Sequence, residues 1–350
     1  MDAETAAALL ALANAPRTHR KLLRSLSSIE QIFARAALPD QAVVPAYVAR
    51  LQRWAEQPNC HVIHLRDARY PEPLKHISDA PLVLFAHGDI RCLQRPMVAI
   101  IGSRNASPVG QHIADYFARG LARRGLVVSS GLAKGIDAAA HRAAMAEGQT
   151  LAVLGTGPDI YYPAAHRQLQ QQIMQSGLVV TEFAPGMPAK RDHFPRRNRI
   201  LSGLAQLVLV VEAKLQSGTL VTTALAREQQ RTLMAVPGSI WDVAYSGCLK
   251  LLKDGAGLAA TVADVMNELN LPNLPPFEDD SERASGQIKS SRSLANRKLL
   301  ANVGLEVTSI DTIVARSGLP VATVTEQLVL LELEGCVTSV TGGYIKMGRR

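Results

Sequence analysis

The spacing of hydrophobic positions divides the chain into three stretches. From residue 97 to about 265, short aliphatic runs alternate with segments whose apolar residues recur every three or four positions. That alternation predicts parallel strands separated by amphipathic helices. Strands are expected at 97–101, 126–129, 150–154, 178–181, 207–211 and 232–236, with helices at 110–124, 136–146 and 220–230 among them. Leu207-Val208-Leu209-Val210-Val211 is apolar at every position, which implies burial on both faces of the sheet. The expected fold class is therefore α/β, with a doubly wound, Rossmann-like central domain at 97–269.

The flanks follow other patterns. Residues 1–60 show helical apolar spacing in an Ala/Leu-rich opening and again at 18–24 and 28–33, the last with Ser27 or Ser28 placed to cap it, so a small helical domain is expected. Arg17, Arg20, Lys21 and Arg24 there suit phosphate contact and a solvated helix face equally. Residues 61–96 read as a connecting segment leading into the α/β domain. Residues 270–292 are rich in Pro and acidic residues, then in Ser, and read as a linker. Helices are expected at 293–302, 310–317 and 321–334, followed by a hairpin at 337–346 turning at Gly342-Gly343. That order is a winged helix, assigned to 293–350. Its longest helix carries three Glu and neither Lys nor Arg, which suits protein contact or a structural role better than DNA phosphate.

Length and charge narrow the classes. The chain has 350 residues, enough for two or three domains. At 47% hydrophobic and 19% charged it can bury sizeable cores. The formal charge of +8 favours a polyanionic partner without naming one. Cys60, Cys92, Cys248 and Cys336 are far apart and form no zinc-type pair, so neither a disulfide framework nor a metal is expected. The N-terminus carries acidic residues where a signal peptide needs basic ones, and no apolar run approaches the ~20 residues of a membrane span. A cytoplasmic protein with no membrane contact is expected.

Six loops at strand C-terminal ends carry the candidate chemistry, because open α/β sheets bind ligands there. Gly102-Ser103-Arg104 follows the first strand. Its glycine permits close backbone approach, its hydroxyl and amides can donate, and its guanidinium can grip phosphate. It is not a GxGxxG fingerprint, which argues against a standard NAD enzyme. Ser130-Gly131 and Lys134 lie in a second Ser/Gly turn that opens a helix, a second expected anion loop. Asp137 and His141 are one helical turn apart and read as a structural pair or an acid/base pair. Gly155-Thr156-Gly157, before Ile160-Tyr161-Tyr162-Pro163, either approaches the ligand or merely turns the chain. Glu182 is expected to orient nearby cations. Ser217-Gly218-Thr219 begins another helix and can supply a further hydroxyl and amide nest, or act as a plain cap.

The fifth of these loops, residues 190–200, is the most informative. Five of its first ten residues are Lys or Arg, and Phe194 and Asn198 sit among them. Phosphates need charge and an unpaired base needs a ring to stack on, worth ~1–3 kcal/mol per base. Duplex DNA offers no exposed base face, so the segment points to a single strand.

Taken in order, IIGSR, SSGLAKGIDAAAH, VLGTGPDIYYP, FPRRNRILSGL, VVEAKLQSGTLVTTA and AVPGSI resemble the bacterial DNA-processing protein A family, DprA or Smf, over about residues 97–260. The resemblance implies a sterile-alpha-motif-like domain in front and, in some members, a winged helix behind. It also implies a homodimer that binds and protects single-stranded DNA during natural transformation and recombination. That dimer would load RecA recombinase onto strands coated by single-strand-binding protein, with no cofactor and no catalysis. Carried over by motif, Arg104, Arg191, Phe194, Arg197, Asn198 and Arg199 would line the DNA pocket, flanked by Lys134 and Ser217-Gly218-Thr219. One departure stands at Gly247-Cys248-Leu249-Lys250-Leu251-Leu252, where the family usually has an asparagine, in a region tied to self-association and RecA contact. The rival reading is a nucleotide-processing enzyme of the lysine-decarboxylase-like phosphoribohydrolase type, using Glu182 or Glu212; the usual PGGxGTxxE stretch is replaced here by SGTLVTTA.

Overall fold

The computed structural model describes residues 3–14, 45–269, 271, 299–333 and 335–347. The predicted helices at 18–24 and 28–33, with Arg17, Arg20, Lys21 and Arg24, lie outside the described residues, as does almost all of the expected linker. The chain divides into two compact units, 1–275 and 276–350.

The first unit opens with α1 (Ala3–Asn14) and α2 (Pro45–Ala55). Ala6, Leu9, Leu10 and Ala13 on α1 and Val48, Leu51 and Trp54 on α2 recur at helical spacing and are buried. Trp54 meets Phe85 edge-on at 6.1 Å between ring centres, which ties this pair of helices to the sheet.

The sheet has nine strands: β1 (Cys60–His64), β2 (Val83–Gly88), β3 (Met97–Ile101), β4 (Val127–Ser130), β5 (Thr150–Val153), β6 (Leu178–Thr181), β7 (Leu207–Val210), β8 (Thr232–Ala235) and β9 (Gly257–Leu258). Their order is β1-β2-β6-β5-β4-β3-β7-β8-β9. Strands β3 to β9 are parallel, so all six predicted strands are present, to within one residue at each end. Residues 61–96 do more than connect. They contribute β1, the short helix α3 (Glu72–Lys75) and β2, and the two strands pair antiparallel with each other and, through β2, with β6. Val83, Leu84, Phe85 and Ala86 are buried there. A hairpin laid antiparallel against the sheet edge lacks the strand–helix alternation that marked the rest.

From β3 the chain moves outward through β4, β5 and β6, then returns to the other side of β3 with β7. The crossover segments hold α4 (Pro108–Arg123), α5 (Ile136–Met145), α6 (Arg167–Ser176), α7 (His193–Leu204) and α8 (Thr219–Glu228). The strand order reverses between β3 and β7, which opens a crevice beyond their carboxyl ends. After β8 come α9 (Ser246–Lys253), β9 and α10 (Val262–Leu269).

The second unit has α11 (Ile310–Ser317), α12 (Val321–Leu333) and the hairpin β10 (Val337–Val340) and β11 (Gly343–Lys346). Thr308 and Tyr344 exchange both backbone hydrogen bonds at 2.9 Å, adding one antiparallel rung to the hairpin. Ser309 caps α11 through its hydroxyl, and Gly318 ends that helix at φ 65°. Ile313, Val324, Leu328, Leu331 and Val337 close a core of their own. This is the winged helix the sequence predicted, with most of its expected first helix, 293–302, outside the described residues.

Candidate functional site

The loop after β3 is fixed from both sides. Ser103 donates its amide to the Glu212 carbonyl at 2.7 Å, and its own carbonyl accepts from the Ile136 amide at 3.1 Å. A β-carbon on Gly102 would stand 2.5 Å from Ile136 Cγ1, so only glycine lets the loop lie this close to α5. The Ser103 hydroxyl accepts from the Asn105 amide. The free, exposed group the loop presents is the Arg104 side chain. Glu212 is buried and accepts from both the Ser107 amide and the Ser107 hydroxyl, which in turn caps α4.

The second loop departs from expectation. Its amides were expected to bind an external anion, yet Asp137 Oδ2 accepts from the Gly131 and Ala133 amides at 3.1 and 3.2 Å. A carboxylate of the same chain fills the nest. Ser130 is buried and donates its hydroxyl to the Ile100 carbonyl, so this hydroxyl and the Gly131 amide are both engaged within the protein. Leu132, buried at φ 58°, adopts a left-handed conformation that costs about 1–2 kcal/mol for a side-chain-bearing residue. Gly135, at φ 76°, turns the chain against the Ser103 carbonyl. The result places the exposed Lys134 beside Arg104.

Asp137 and His141 do not pair. His141 Nδ1 stands 2.7 Å from the Thr150 hydroxyl, which itself donates to the Val128 carbonyl. Nδ1 therefore carries a proton and donates it to the hydroxyl oxygen. Burial, reinforced by the Arg197 charge, holds this imidazole down at about 3.

The basic segment 190–200 is folded into the first turns of α7, and its residues part ways. Arg199 is buried against Glu182 at 2.5 Å and Asp79 at 3.3 Å, and it lines neither cavity described below. Arg196 also meets Glu182, at 2.8 Å, and lies over the Phe183 ring. Glu182 thus orients cations, as expected. Arg191 is exposed on the preceding turn and lines neither cavity. The helical period explains the split, because positions 193, 197 and 200 share the inward face of α7.

Arg197 is the one basic residue of the segment that reaches the crevice. Its Nη1 donates to the carbonyls of Gly131, at 2.7 Å, and Val153, and its Nε donates to Asn198 Oδ1 at 3.1 Å. Burial pushes its guanidinium down to about 10, with Asp137 opposing and Arg104 adding to the shift. It stays charged at neutral pH. The same burial raises the Asp137 carboxyl, opposed by Arg197 and by the two amides. Phe194 is half-buried and packs on Gly155, where a β-carbon would stand 2.8 Å from ring Cδ1. It also meets the ring of Tyr162, at 5.2 Å between ring centres and tilted by 39°.

Two cavities adjoin at this place. The first, of about 340 Å³, is lined by Ser103, Arg104, Asn198 and the Ser217-Gly218-Thr219 start of α8, among others. Thr219 donates its hydroxyl to the Gly102 carbonyl, joining that helix start to the β3 loop. The second, of about 150 Å³, is lined by Lys134, Tyr162, Pro163 and Phe194. Arg104, Ala133 and Arg197 belong to both. Tyr162, Lys214 and Gln216 were not singled out from the sequence as site residues. The tyrosine stood in the Ile160-Tyr161-Tyr162-Pro163 turn, where an aromatic pair shortly after Gly155-Thr156-Gly157 was the available signal. Among the described residues no group of three His, Cys, Asp or Glu could hold a metal ion, and no helix is long and apolar enough to cross a membrane.

Comparison with known proteins adds to this geometry. Residues 61–270 match the family model described as DNA recombination-mediator protein A, and residues 283–343 match the DprA winged helix domain. Protein Smf of Escherichia coli is 41% identical over 300 residues, covering 85% of this chain and 80% of that protein. The DNA processing protein DprA of Streptococcus pneumoniae is 45% identical over 203 residues, covering 58% and 72%. The X-ray structure of the Streptococcus pneumoniae DprA superposes with a TM-score of 0.65 at 34% identity, over 77% of this chain and 99% of the other. A Helicobacter pylori DNA processing protein A, described for its single-stranded DNA binding mode, superposes at 0.54 with 29% identity, over 60% and 95%.

Proposed function

Because this chain belongs to the DNA recombination-mediator protein A family, DprA or Smf, we propose that its central domain binds single-stranded DNA across the two adjoining cavities. Arg104 carries the reading. It stands on the wall common to a hydroxyl-lined cleft and an aromatic-sided pocket. A single strand needs just that pairing, charge for the backbone and a ring for an unpaired base. The family relative from Helicobacter pylori binds single-stranded DNA by its own description, which supports the same use of this fold.

The wider role we propose is the one the family resemblance implies. The protein would act in the cytoplasm as a homodimer that protects incoming strands and loads RecA recombinase onto DNA coated by single-strand-binding protein, during natural transformation and recombination. No catalytic step belongs to this reading. The carboxylates a phosphoribohydrolase would need are already engaged, Glu182 by Arg196 and Arg199 and Glu212 by Ser107.

Strand binding measured across a salt series tests the proposal. Arg104→Ala weakens binding and lowers the slope of log K against log salt by about 0.7, one counterion on a single strand. Phe194→Ala weakens binding with the slope unchanged. Wild-type affinity in both variants, accompanied by nucleotide hydrolysis, would favour the enzyme.

A further inference from the structure

The loops that build the cleft follow the order of the strands. Along the carboxyl edge of the sheet β4, β3, β7 and β8 stand side by side and parallel, about 4.8 Å apart. The larger cavity takes Ala133 from the loop after β4, Arg104 from the loop after β3, and Lys214, Gln216 and Ser217 from the loop after β7. The next strand in the row is β8. Its loop, residues 236–245, carries Trp241 and leads into α9.

Trp241 is 86% exposed, the most exposed large apolar side chain among the described residues, and Ile240 and Val243 beside it are exposed as well. One exposed apolar residue would mean little. Three within four positions form a patch of the kind that marks a contact surface. The backbone beneath them is braced: Trp241 donates its amide to the Ser239 hydroxyl at 3.2 Å, Asp242 donates its amide to the Ser239 carbonyl at 3.1 Å, and Asp242 Oδ1 accepts from the Ala244 amide at 2.8 Å. Tyr245 is buried with its ring against Gly238, where a β-carbon would collide with it.

The same turn is fastened to the cleft. Gly247 donates its amide to the Ala213 carbonyl at 2.7 Å, Leu215 donates its amide to the Ser246 hydroxyl at 3.3 Å, and that hydroxyl donates to the Val243 carbonyl at 2.7 Å. A β-carbon on Gly247 would stand 2.6 Å from the Ala213 carbonyl oxygen, so the close approach requires glycine. Lys214 and Gln216, on either side of Leu215, are exposed and line the larger cavity. The apolar turn therefore adjoins the Lys214 end of the cleft.

Resting on the single-strand reading above, we propose that Trp241 is a base-stacking platform that receives the strand where it leaves the larger cavity past Lys214 and Gln216. A strand running along the row of loops meets Lys214 with a phosphate and the indole with an unpaired base, the combination of charge and ring that single strands require. Stacking needs no hydrogen-bond partner, which suits an indole flanked by Ile240 and Val243.

The chain reports on this contact by itself, because its other tryptophan, Trp54, is 3% exposed and packed against Phe85. Full-length protein is titrated with a dT 16-mer while tryptophan emission and affinity are followed. The strand quenches the emission of the wild type, and Trp241→Ala loses that quench. Its affinity falls about ten-fold, within the worth of one stacked base, at an unchanged salt slope. Trp241→Phe keeps a ring and recovers most of the loss. Wild-type affinity in Trp241→Ala overturns the proposal, and if Arg104→Ala still weakens binding the single-strand reading stands. A loss of affinity without any quench in the wild type also overturns it, since the indole would then touch no base. Emission that changes with protein concentration in the absence of DNA, with strand affinity untouched by Trp241→Ala, assigns the turn to a contact between copies of the chain and overturns it too. Failure of the wild type to bind the 16-mer overturns both readings together.

Discussion

Phe194 lies on Gly155 so closely that a β-carbon at that glycine would stand 2.8 Å from ring Cδ1. The missing side chain at 155 sets the height of the aromatic wall. A Gly155→Ala change moves the ring, since the contact is with a rigid aromatic rather than a flexible tip. Single-strand affinity is expected to fall by up to about ten-fold, within the worth of one stacked base. The salt slope should stay at the wild-type value, and a slope that drops with it would show that the phosphate contacts had moved too.

Glu182 is 2% exposed and bridges Arg196 and Arg199. Its role is to keep two guanidinium groups satisfied at the start of α7. Removing it leaves charge buried without its partner, a loss of about 3–5 kcal/mol. Asp79 remains beside Arg199, so Glu182→Ala should fall at the lower end of that range in urea denaturation. A variant of unchanged stability would contradict this assignment.

His141 makes stability depend on pH. Burial holds its folded-state imidazole at about 3, whereas the unfolded chain takes up a proton near 6.5. Between those values the unfolded state binds more protons, so stability present above pH 6.5 is lost as pH falls towards 3, at up to about 1.4 kcal/mol per unit. His141→Asn keeps a donor for Thr150 and removes the titration. The stability lost between pH 7.5 and pH 5 should be smaller in this variant by roughly 2 kcal/mol, read from urea midpoints at the two values.

The winged helix presents α12, whose described charged residues are Glu326 and Glu332. Glu332 is engaged with the Ser339 amide. Helices that lie against phosphate carry cations instead. Ending the chain at residue 275 should leave single-strand affinity within about two-fold of the full-length protein and its salt slope unchanged. A large loss would place part of the strand-binding surface in the second unit.

Much of the architecture is legible in the linear order. A doubly wound sheet follows from the alternation of aliphatic runs and amphipathic segments, because a strand buried on both faces must be apolar throughout. The winged helix follows from the order of three helical segments, 293–302, 310–317 and 321–334, and a hairpin turning at Gly342-Gly343. Gly102-Ser103-Arg104, Phe194 and Ser217-Gly218-Thr219 are legible as a site because each follows a strand end or begins a helix beside one.

Tertiary structure decided what those residues do. Local sequence shows that Ser130, Gly131, Arg197 and Arg199 are polar groups near an expected ligand, but not which are already spent. Asp137, six residues after Gly131, occupies the amide nest. Arg199 turns inward to Glu182 and Asp79, while Arg197, two residues earlier, turns towards the crevice. Such choices depend on partners brought together across the sheet, and a buried polar group takes whichever partner satisfies it at least cost in desolvation. Residues 60–88 make the same point for the fold, since whether a short apolar run ends as a connector or as β2 against β6 is settled by the edge available to receive it.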